Sequence, residues 1–549
     1  MRKVKIITGF CIWINLFFGL FVEVSHGFNL ANLNGKNGFF ANGVGGYNSG
    51  DPVTGIGDVN GDGIDDFLIG AQANKDKNLF KIFIVFGSKN NWPLALDLGN
   101  LNGKNGCTII GQQNNLVISA SAAGDVNGDS LNDILIGVGN ANNFTGQSYV
   151  IFGKKGQWPD VIQLDKMSIG NGFALKGINL MDQSGQSVSG IGDFNGDAID
   201  DFIIGAPGAN NGAGESYLIF GNKKGFPQIF NLSSLNGTNG VIFEGIHSHE
   251  LSGFAVGGGI DVNGDGFKDV MIGAPGAAGA GSDSIGRTYV AFGGQSGWPA
   301  VIMLKNLNGV NGFMIIGISS NDFSGFCVSG GDVNADGVDD IVIGAPGINN
   351  MTGKAYAIFG RKDTQWPAQI SATNLDGNNG FLMIGIPADR SGAFVSSGED
   401  VSGDGVDDII VGAPAANRNT GEGYLVLGKK EFFLAKISLV DLKDSTGFII
   451  TGALNTGGYG ISIAGDVNAD GLGDIIIGSQ SAIVNGSSGV GQSYILFGFP
   501  DNIPPNPTIM MVEEILVGLA SLATLTSFVT FSYYGYLYYC FGDTELECF

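Results

Sequence analysis

Apolar residues along this chain come in runs of four to six, and each run stops at glycine, asparagine or proline. The run Phe202-Ile203-Ile204-Gly205-Ala206-Pro207 is followed, after a short polar stretch, by Tyr217-Leu218-Ile219-Phe220-Gly221. Short runs rich in β-branched and aromatic residues, bounded by turn formers, predict strands and not helices. The same pair of runs keeps returning. Ile-Gly-Ala-Pro stands at Ile204, Ile272 and Ile343, with Val411 to Pro414 as a variant, and the Tyr-led run recurs at Tyr149, Tyr289, Tyr356, Tyr424 and Tyr494. A connector with Trp-Pro follows at Trp92, Trp158, Trp298 and Trp366. Leu-Asn-Gly-x-Asn-Gly-Phe then opens another strand at Leu33 and Leu307, and at Leu235 with Val241 in place of Phe. With the short run upstream, such as Ser252 to Val256, each unit holds four strands.

Between the first two strands of every unit lies an acidic loop. Asp-Val-Asn-Gly-Asp-Gly begins at Asp58, and close relatives begin at Asp125, Asp193, Asp261, Asp332, Asp400 and Asp466, 66–71 residues apart. Seven four-stranded repeats predict an all-β chain, a seven-bladed β-propeller of four-stranded antiparallel blades over residues 28–498. An open solenoid is the alternative, and the two ends of the repeat region argue against it. The first element is a fourth strand, at Gly38-Phe39, and the last is a third strand, Tyr494 to Gly498. Joining them completes the seventh blade and hides both sheet edges.

Counted from its first aspartate, each loop offers hard oxygens at positions 1, 3, 5 and 9 and a main-chain carbonyl at position 7. Oxygen ligands at alternating positions suit Ca²⁺, and up to seven ions are expected. The expected ligands are Asp58, Asn60, Asp62, Ile64 and Asp66; Asp125, Asn127, Asp129, Leu131 and Asp133; and Asp193, Asn195, Asp197, Ile199 and Asp201. The fourth and fifth loops supply Asp261, Asn263, Asp265, Phe267 and Asp269, then Asp332, Asn334, Asp336, Val338 and Asp340. The last two supply Asp400, Ser402, Asp404, Val406 and Asp408, then Asp466, Asn468, Asp470, Leu472 and Asp474. Glycine at position 6 permits the sharp turn. Ser130 and Ala198 stand there in the second and third loops, and Ser402 replaces Asn in the sixth, so these three are expected to bind most weakly. The loops are not EF-hands: position 12 of the first is Ile69 instead of a bidentate Glu, and a strand follows where a helix would be needed.

Composition sharpens this picture. Of 549 residues 94 are glycine, only 14% are charged and 44% are hydrophobic, which excludes an acidic disordered chain. The net charge of −24 argues against nucleic acid as a partner. Seven divalent cations would offset more than half of that charge. Three carboxylates in each tight turn would otherwise repel one another. Cys107 and Cys327 are the only cysteines between Cys11 and Cys540, so no disulfide framework can be read.

The loops followed by Ile-Gly-Ala-Pro make the chain resemble the FG-GAP repeats of the integrin α-subunit N-terminal propeller, over residues ~30–498. That resemblance implies calcium as a structural ion and cell adhesion through a protein ligand on one face. The departures are specific. Ser184-Gly185 and Ser252-Gly253 stand where the family has Phe-Gly, and all seven blades carry loops where integrins usually have them only in later blades. The integrin leg domains and the Gly-Phe-Phe-Lys-Arg motif are not found, so pairing with a β-subunit is not expected.

Residues 1–27 read as a signal peptide: Arg2, Lys3 and Lys5 precede the apolar stretch Ile6 to Val22, and Ser25 and Gly27 suit cleavage. Pro500, Pro504, Pro505 and Pro507 mark a stiff linker over 499–514. Residues 515–542 run without a charge and read as a transmembrane helix with a tyrosine belt, ahead of a short acidic tail at 543–549. The expected location is therefore the cell surface, with the propeller outside and the membrane held through the C-terminal helix. An extracellular protein or glycan ligand is expected on the face opposite the loops. There the variable connections carry Asp182, His247, His249, Glu250, Asp322, Asp389, Arg390 and Arg418. Sequons at Asn143, Asn231, Asn236, Asn350 and Asn485 allow glycosylation.

A propeller can also host an enzyme acting on polysaccharide or lipid, or serve as a structural surface protein. His247 and His249 have no third metal ligand nearby in sequence, and neither a Gly-x-Ser-x-Gly elbow nor a phosphate-binding Gly-Lys-Ser/Thr motif occurs. A non-enzymatic adhesion propeller is the favoured reading.

Overall fold

The computed structural model describes residues 27–499, apart from 74–78, 91, 112–118, 279–283, 296, 348–351, 363–364, 431, 444, 453–459 and 485, together with 529–533, 536–541 and 547–548. Two compact units form, Met1–Asn502 and Ile503–Phe549.

The first unit is a seven-bladed β-propeller. In the third blade the strands Ser187–Gly192, Asp201–Ala206, Glu215–Ile219 and Gly240–Glu244 pair antiparallel in chain order. The innermost strands of successive blades lie side by side. Tyr47–Gly57 neighbours both Ser119–Gly124 and Gly460–Gly465, which closes the ring. Second strands such as Asp201–Ala206 are buried along their whole length, because neighbouring blades cover both faces. That is why these strands read as continuous apolar runs without alternation. Innermost strands are Gly-, Ser- and Ala-rich for a steric reason: a Cβ on Gly55 would sit 2.5 Å from the carbonyl oxygen of Ala464 in the adjoining seventh blade. The core is split into seven clusters, one in each seam between adjacent blades.

Four strands per blade was one too few. Every blade carries a fifth, three-residue strand on its outer edge, contributed by the next blade's connector. Val301–Met303, which lies between the third and fourth strands of the fourth blade, pairs parallel with Gly240–Glu244 of the third. A 3-10 turn, Leu304–Asn306, then returns the chain to its own blade with Leu304 buried. The Trp-Pro connector is part of the same device. Trp366 of the fifth blade stacks on Phe313 of the fourth with ring centroids 4.5 Å apart, and Trp92 of the first stacks on Phe39 of the seventh at 4.4 Å.

Ring closure follows the expected joint and adds a second one. Gly38–Asn42 pairs antiparallel with Gln492–Leu496 as the fourth strand of the seventh blade. Upstream, Gly27–Asn29 pairs parallel with Gly447–Thr451 as the fifth strand of the sixth.

In the second unit Val529–Tyr533, Tyr536–Phe541 and Glu547–Cys548 form a three-stranded antiparallel sheet. The helix expected over 515–542 is therefore corrected over its described part. Val529, Thr530, Phe531, Tyr533, Tyr536, Tyr538 and Tyr539 are β-branched or aromatic, types that favour strands, whereas the expected helix rests on the charge-free length and on the tyrosines as an interfacial belt. No helix among the described residues is long and apolar enough to cross a membrane. Of the expected signal peptide, residues 1–26 lie outside the described residues, as do the linker from residue 500 and 515–528, while the last residue of that peptide, Gly27, is already part of a propeller strand paired with Ile449.

Candidate functional site

All seven acidic loops are closed by the same bonds to their own carboxylates at positions 1 and 5. The position-1 aspartate accepts the N–H of position 6: Gly63 to Asp58 Oδ2 at 2.7 Å, Ser130 to Asp125 at 2.7 Å, Ala198 to Asp193 at 2.8 Å, and likewise at Asp261, Asp332, Asp400 and Asp466. The position-5 aspartate accepts the N–H of position 7, as Asp62 does from Ile64 at 3.0 Å. Position 6 is left-handed in each loop, including the two without glycine, Ser130 (φ 71°) and Ala198 (φ 62°).

Position 9 is different. Asp66, Asp133, Asp201, Asp269, Asp340, Asp408 and Asp474 are fully buried, and each accepts the same two main-chain N–H groups. One comes from position 2, at 2.9–3.2 Å. The other comes from the glycine two residues beyond the third strand, at 2.8–3.0 Å. Burial pushes the carboxyls of Asp66, Asp133, Asp201 and Asp340 up to about 8 and Asp408 to about 7, although main-chain N–H donors pull the other way. That glycine is dictated by this approach: a Cβ on Gly87 would lie 2.2 Å from the Asp65 carbonyl oxygen.

Among the described residues no group of three or more His, Cys, Asp or Glu side chains is gathered closely enough to hold a metal ion. The position-3 amide lies among the carboxylates instead, Asn60 donating to Asp66 at 3.2 Å and Asn468 to Asp470 at 2.9 Å. The donor chemistry of the loops nevertheless fits a hard divalent cation. Every candidate ligand is an oxygen, and among the described residues no lysine or arginine is ion-paired to the aspartates at positions 1, 5 and 9.

The loops are joined into a ring by main-chain bonds that the sequence does not announce. The position-2 carbonyl of each loop accepts an N–H from just beyond the third strand of the next blade. Lys154 bonds to Val59, Asn222 to Val126, Gly294 to Phe194, Arg361 to Val262, Lys429 to Val333 and Phe499 to Val401, at 2.8–3.0 Å. Ser88 closes the circle on Val467 at 2.9 Å.

On the opposite face half of the expected contact residues are unavailable. Asp182, Glu250, Asp322 and Asp389 are at most 4% exposed. Each accepts a main-chain N–H three or four residues upstream: Asn179 to Asp182, Ile246 to Glu250, Ser319 to Asp322 and Ile386 to Asp389. Glu250 and Asp322 also pair with Arg287 and Lys354, each at 2.7 Å. Left-handed residues flank every one of these acids: Met181 and Gln183, His249 and Leu251, Asn321 and Phe323, Ala388 and Arg390. The buried acids are thus staples that hold strained turns. Their acidic character in a variable connection misled the sequence reading. His247, His249, Arg390 and Arg418 are exposed, and left-handed turns also shape the loops at Asn142 to Phe144, Asn210 and Asn211, and Asn417 to Asn419.

The FG-GAP repeat model matches residues 117–151, 184–219, 252–290, 328–358 and 391–426, which fall in the second to sixth blades. The chain is 32% identical over 260 residues to integrin alpha pat-2 of Caenorhabditis elegans, covering 46% of this chain and 20% of that protein. Integrin alpha-V of Gallus gallus is 30% identical over 239 residues, covering 42% and 20%. Phosphatidylinositol-glycan-specific phospholipase D of Bos taurus is 30% identical over 166 residues, covering 28% and 18%. The matches therefore span about a fifth of the length of these relatives. With seven blades and FG-GAP repeats in five of them, this chain is an FG-GAP-repeat β-propeller similar to part of the integrin alpha chains.

Proposed function

We propose that the chain is a calcium-stabilised adhesion propeller, displayed outside the cell, that binds a protein or glycan ligand through the face opposite its acidic loops. The observation that carries this reading is the contrast between the two faces. The loop face repeats the same closing bond, from the position-6 N–H to the position-1 carboxylate, in all seven blades, as a structural element does. The opposite face repeats its buried-acid turns, but the exposed side chains presented on and beside left-handed residues differ between blades, such as His247 and His249 in one, Arg390 in another and Arg418 on a further loop. Backbone strain of this kind collects at functional sites. In each loop the side chains at positions 1, 3, 5 and 9 and the carbonyl at 7 would hold Ca²⁺, whose double charge would relieve carboxylate repulsion.

The reading is non-enzymatic. The similarity to phosphatidylinositol-glycan-specific phospholipase D makes lipid-anchor cleavage the activity to assay beside adhesion. The test is binding of the full chain to arrays of extracellular-matrix proteins and glycans, with Ca²⁺ and with EDTA. A saturable ligand whose binding is lost on substituting Arg390 and Arg418 by Ala supports the proposal. Absence of any ligand, together with turnover of a glycosylphosphatidylinositol substrate, overturns it.

A further inference from the structure

Position 8 of each loop is not a ligand of its own loop, and what stands there varies: Asp65, Asn132, Asp200, Lys268, Asp339, Asp407 and Gly473. In the structure the four aspartates all reach backward to the loop of the preceding blade. Asp200 Oδ2 accepts the N–H of Asp125 at 2.7 Å, and Asp339 that of Asp261 at 2.7 Å. Asp407 takes the N–H of Asp332 at 2.9 Å, and Asp65 that of Asp466 at 3.0 Å, across the ring closure. Each acceptor therefore sits on the main chain of the neighbour's position-1 residue, the first of that loop's candidate ligands.

This contact is not something the fold requires. Where position 8 is Asn132, Lys268 or Gly473, its own N–H still bonds to the position-1 carbonyl of the preceding loop, at 3.3, 3.2 and 2.9 Å, without any carboxylate. The ring is thus joined by main chain alone in those seams. A carboxylate added beside a loop that already holds three is repelled by them unless a cation is near. Asp339 has one in Lys268, whose Nζ lies 3.3 Å from its Oδ2, whereas among the described residues Asp65, Asp200 and Asp407 are ion-paired to no lysine or arginine.

We infer that Asp65, Asp200, Asp339 and Asp407 are positioning carboxylates that act in the neighbouring blade, each fixing the first ligand of the preceding loop and raising its affinity for a divalent cation. The inference rests on the calcium reading above. It divides the ring: the loops at Asp125, Asp261, Asp332 and Asp466 are completed by the next blade, whereas those at Asp58, Asp193 and Asp400 stand alone. The loop at Asp125, weak by its own sequence because of Ser130, gains a partner that the loops with Ala198 and Ser402 lack. Because positions 8 and 9 are adjacent, a cation ordering one loop also orders the group that serves the loop before it.

The test is calorimetric Ca²⁺ titration and thermal melting of the full chain, comparing wild type with Asp200→Asn, Asp407→Asn and the converse Asn132→Asp. Asparagine keeps an acceptor and removes the charge. Each loss variant should weaken one site on the order of tenfold, the usual scale for a second layer of metal contacts, and leave the other sites unchanged. Asn132→Asp should tighten one site. Melting supplies the reading that a merely structural bond would not give: Asp200→Asn should lower the midpoint in Ca²⁺ but not in EDTA. If wild type binds Ca²⁺ and all three variants bind identically, this inference fails and the calcium reading survives. If wild type binds no Ca²⁺, both fall.

Discussion

Asp66 Oδ1 accepts the N–H of Gly87 at 2.8 Å, tying the end of the first acidic loop to the chain just beyond the third strand of its blade. The same bond recurs in all seven blades, as between Asp201 and Gly221 at 2.8 Å. It makes the position-9 carboxylate a structural part of the blade even before any cation is considered.

Asp201→Ala therefore leaves the N–H groups of Phe194 and Gly221 buried without an acceptor. At about 1–3 kcal/mol per orphaned group, the loss should be roughly 2–6 kcal/mol. Denaturant unfolding should show it in EDTA as well as in Ca²⁺. Removing only a metal ligand would cost stability in Ca²⁺ alone.

Ser130 and Ala198 hold left-handed backbone where the other loops use glycine. Non-glycine residues in that region cost about 1–2 kcal/mol. Ser130→Gly and Ala198→Gly should each raise stability by about 1 kcal/mol, visible as a higher melting midpoint. A midpoint that falls would mean that these side chains make a favourable contact outweighing the strain.

Asp51 lies on the innermost strand of the first blade, where burial pushes its carboxyl up to about 6 and Gln480 donates to it at 3.1 Å. A carboxyl raised above its ordinary 3.8 prefers to be protonated in the folded state. Its contribution to stability is fully present below pH ~4 and is lost as pH rises through ~6. The penalty at neutral pH is on the order of 3 kcal/mol. Asp51→Asn should therefore stabilise the chain at pH 7.5 and give little gain at pH 4. Equal gains at both pH values would rule out ionisation as the cause.

Chelation should lower the melting temperature steeply. At a Ca²⁺ concentration ten times the dissociation constant each independent site contributes ~1.4 kcal/mol, so seven could approach ~10 kcal/mol. A melting curve unchanged by excess EDTA would count against calcium in these loops.

Much of this architecture was legible because a propeller writes itself as a repeat. Seven Asp-led loops fix the blade number, and Gly38-Phe39 and Tyr494 to Gly498 reveal how the ring closes. The fifth strands were not legible. Val161–Gln163, Ile229–Asn231 and their counterparts are three residues long, too short for an alternation to register, and their pairing partner lies in another blade. The role of Asp182 and Glu250 was misread because an acid in a variable connection looks solvated, while its main-chain partners are visible only once the turn is folded. Position 8 escaped notice for a similar reason: Asp200 meets Asp125 from 75 residues away. The C-terminal segment shows the opposite failing, since length without charge was given more weight than strand-favouring side chains.

The double closure at Gly27–Asn29 and Gly38–Asn42 has a mechanical consequence. Tension on the N-terminal end of the ring falls first on these two strands, which lie in different blades. The first is parallel to its neighbour and the second antiparallel, so one pull loads two latches in series. Rupture of the outer latch leaves the inner one shut. Pulled from that end, the ring would thereby yield in steps, the strand on the sixth blade before the strand in the seventh.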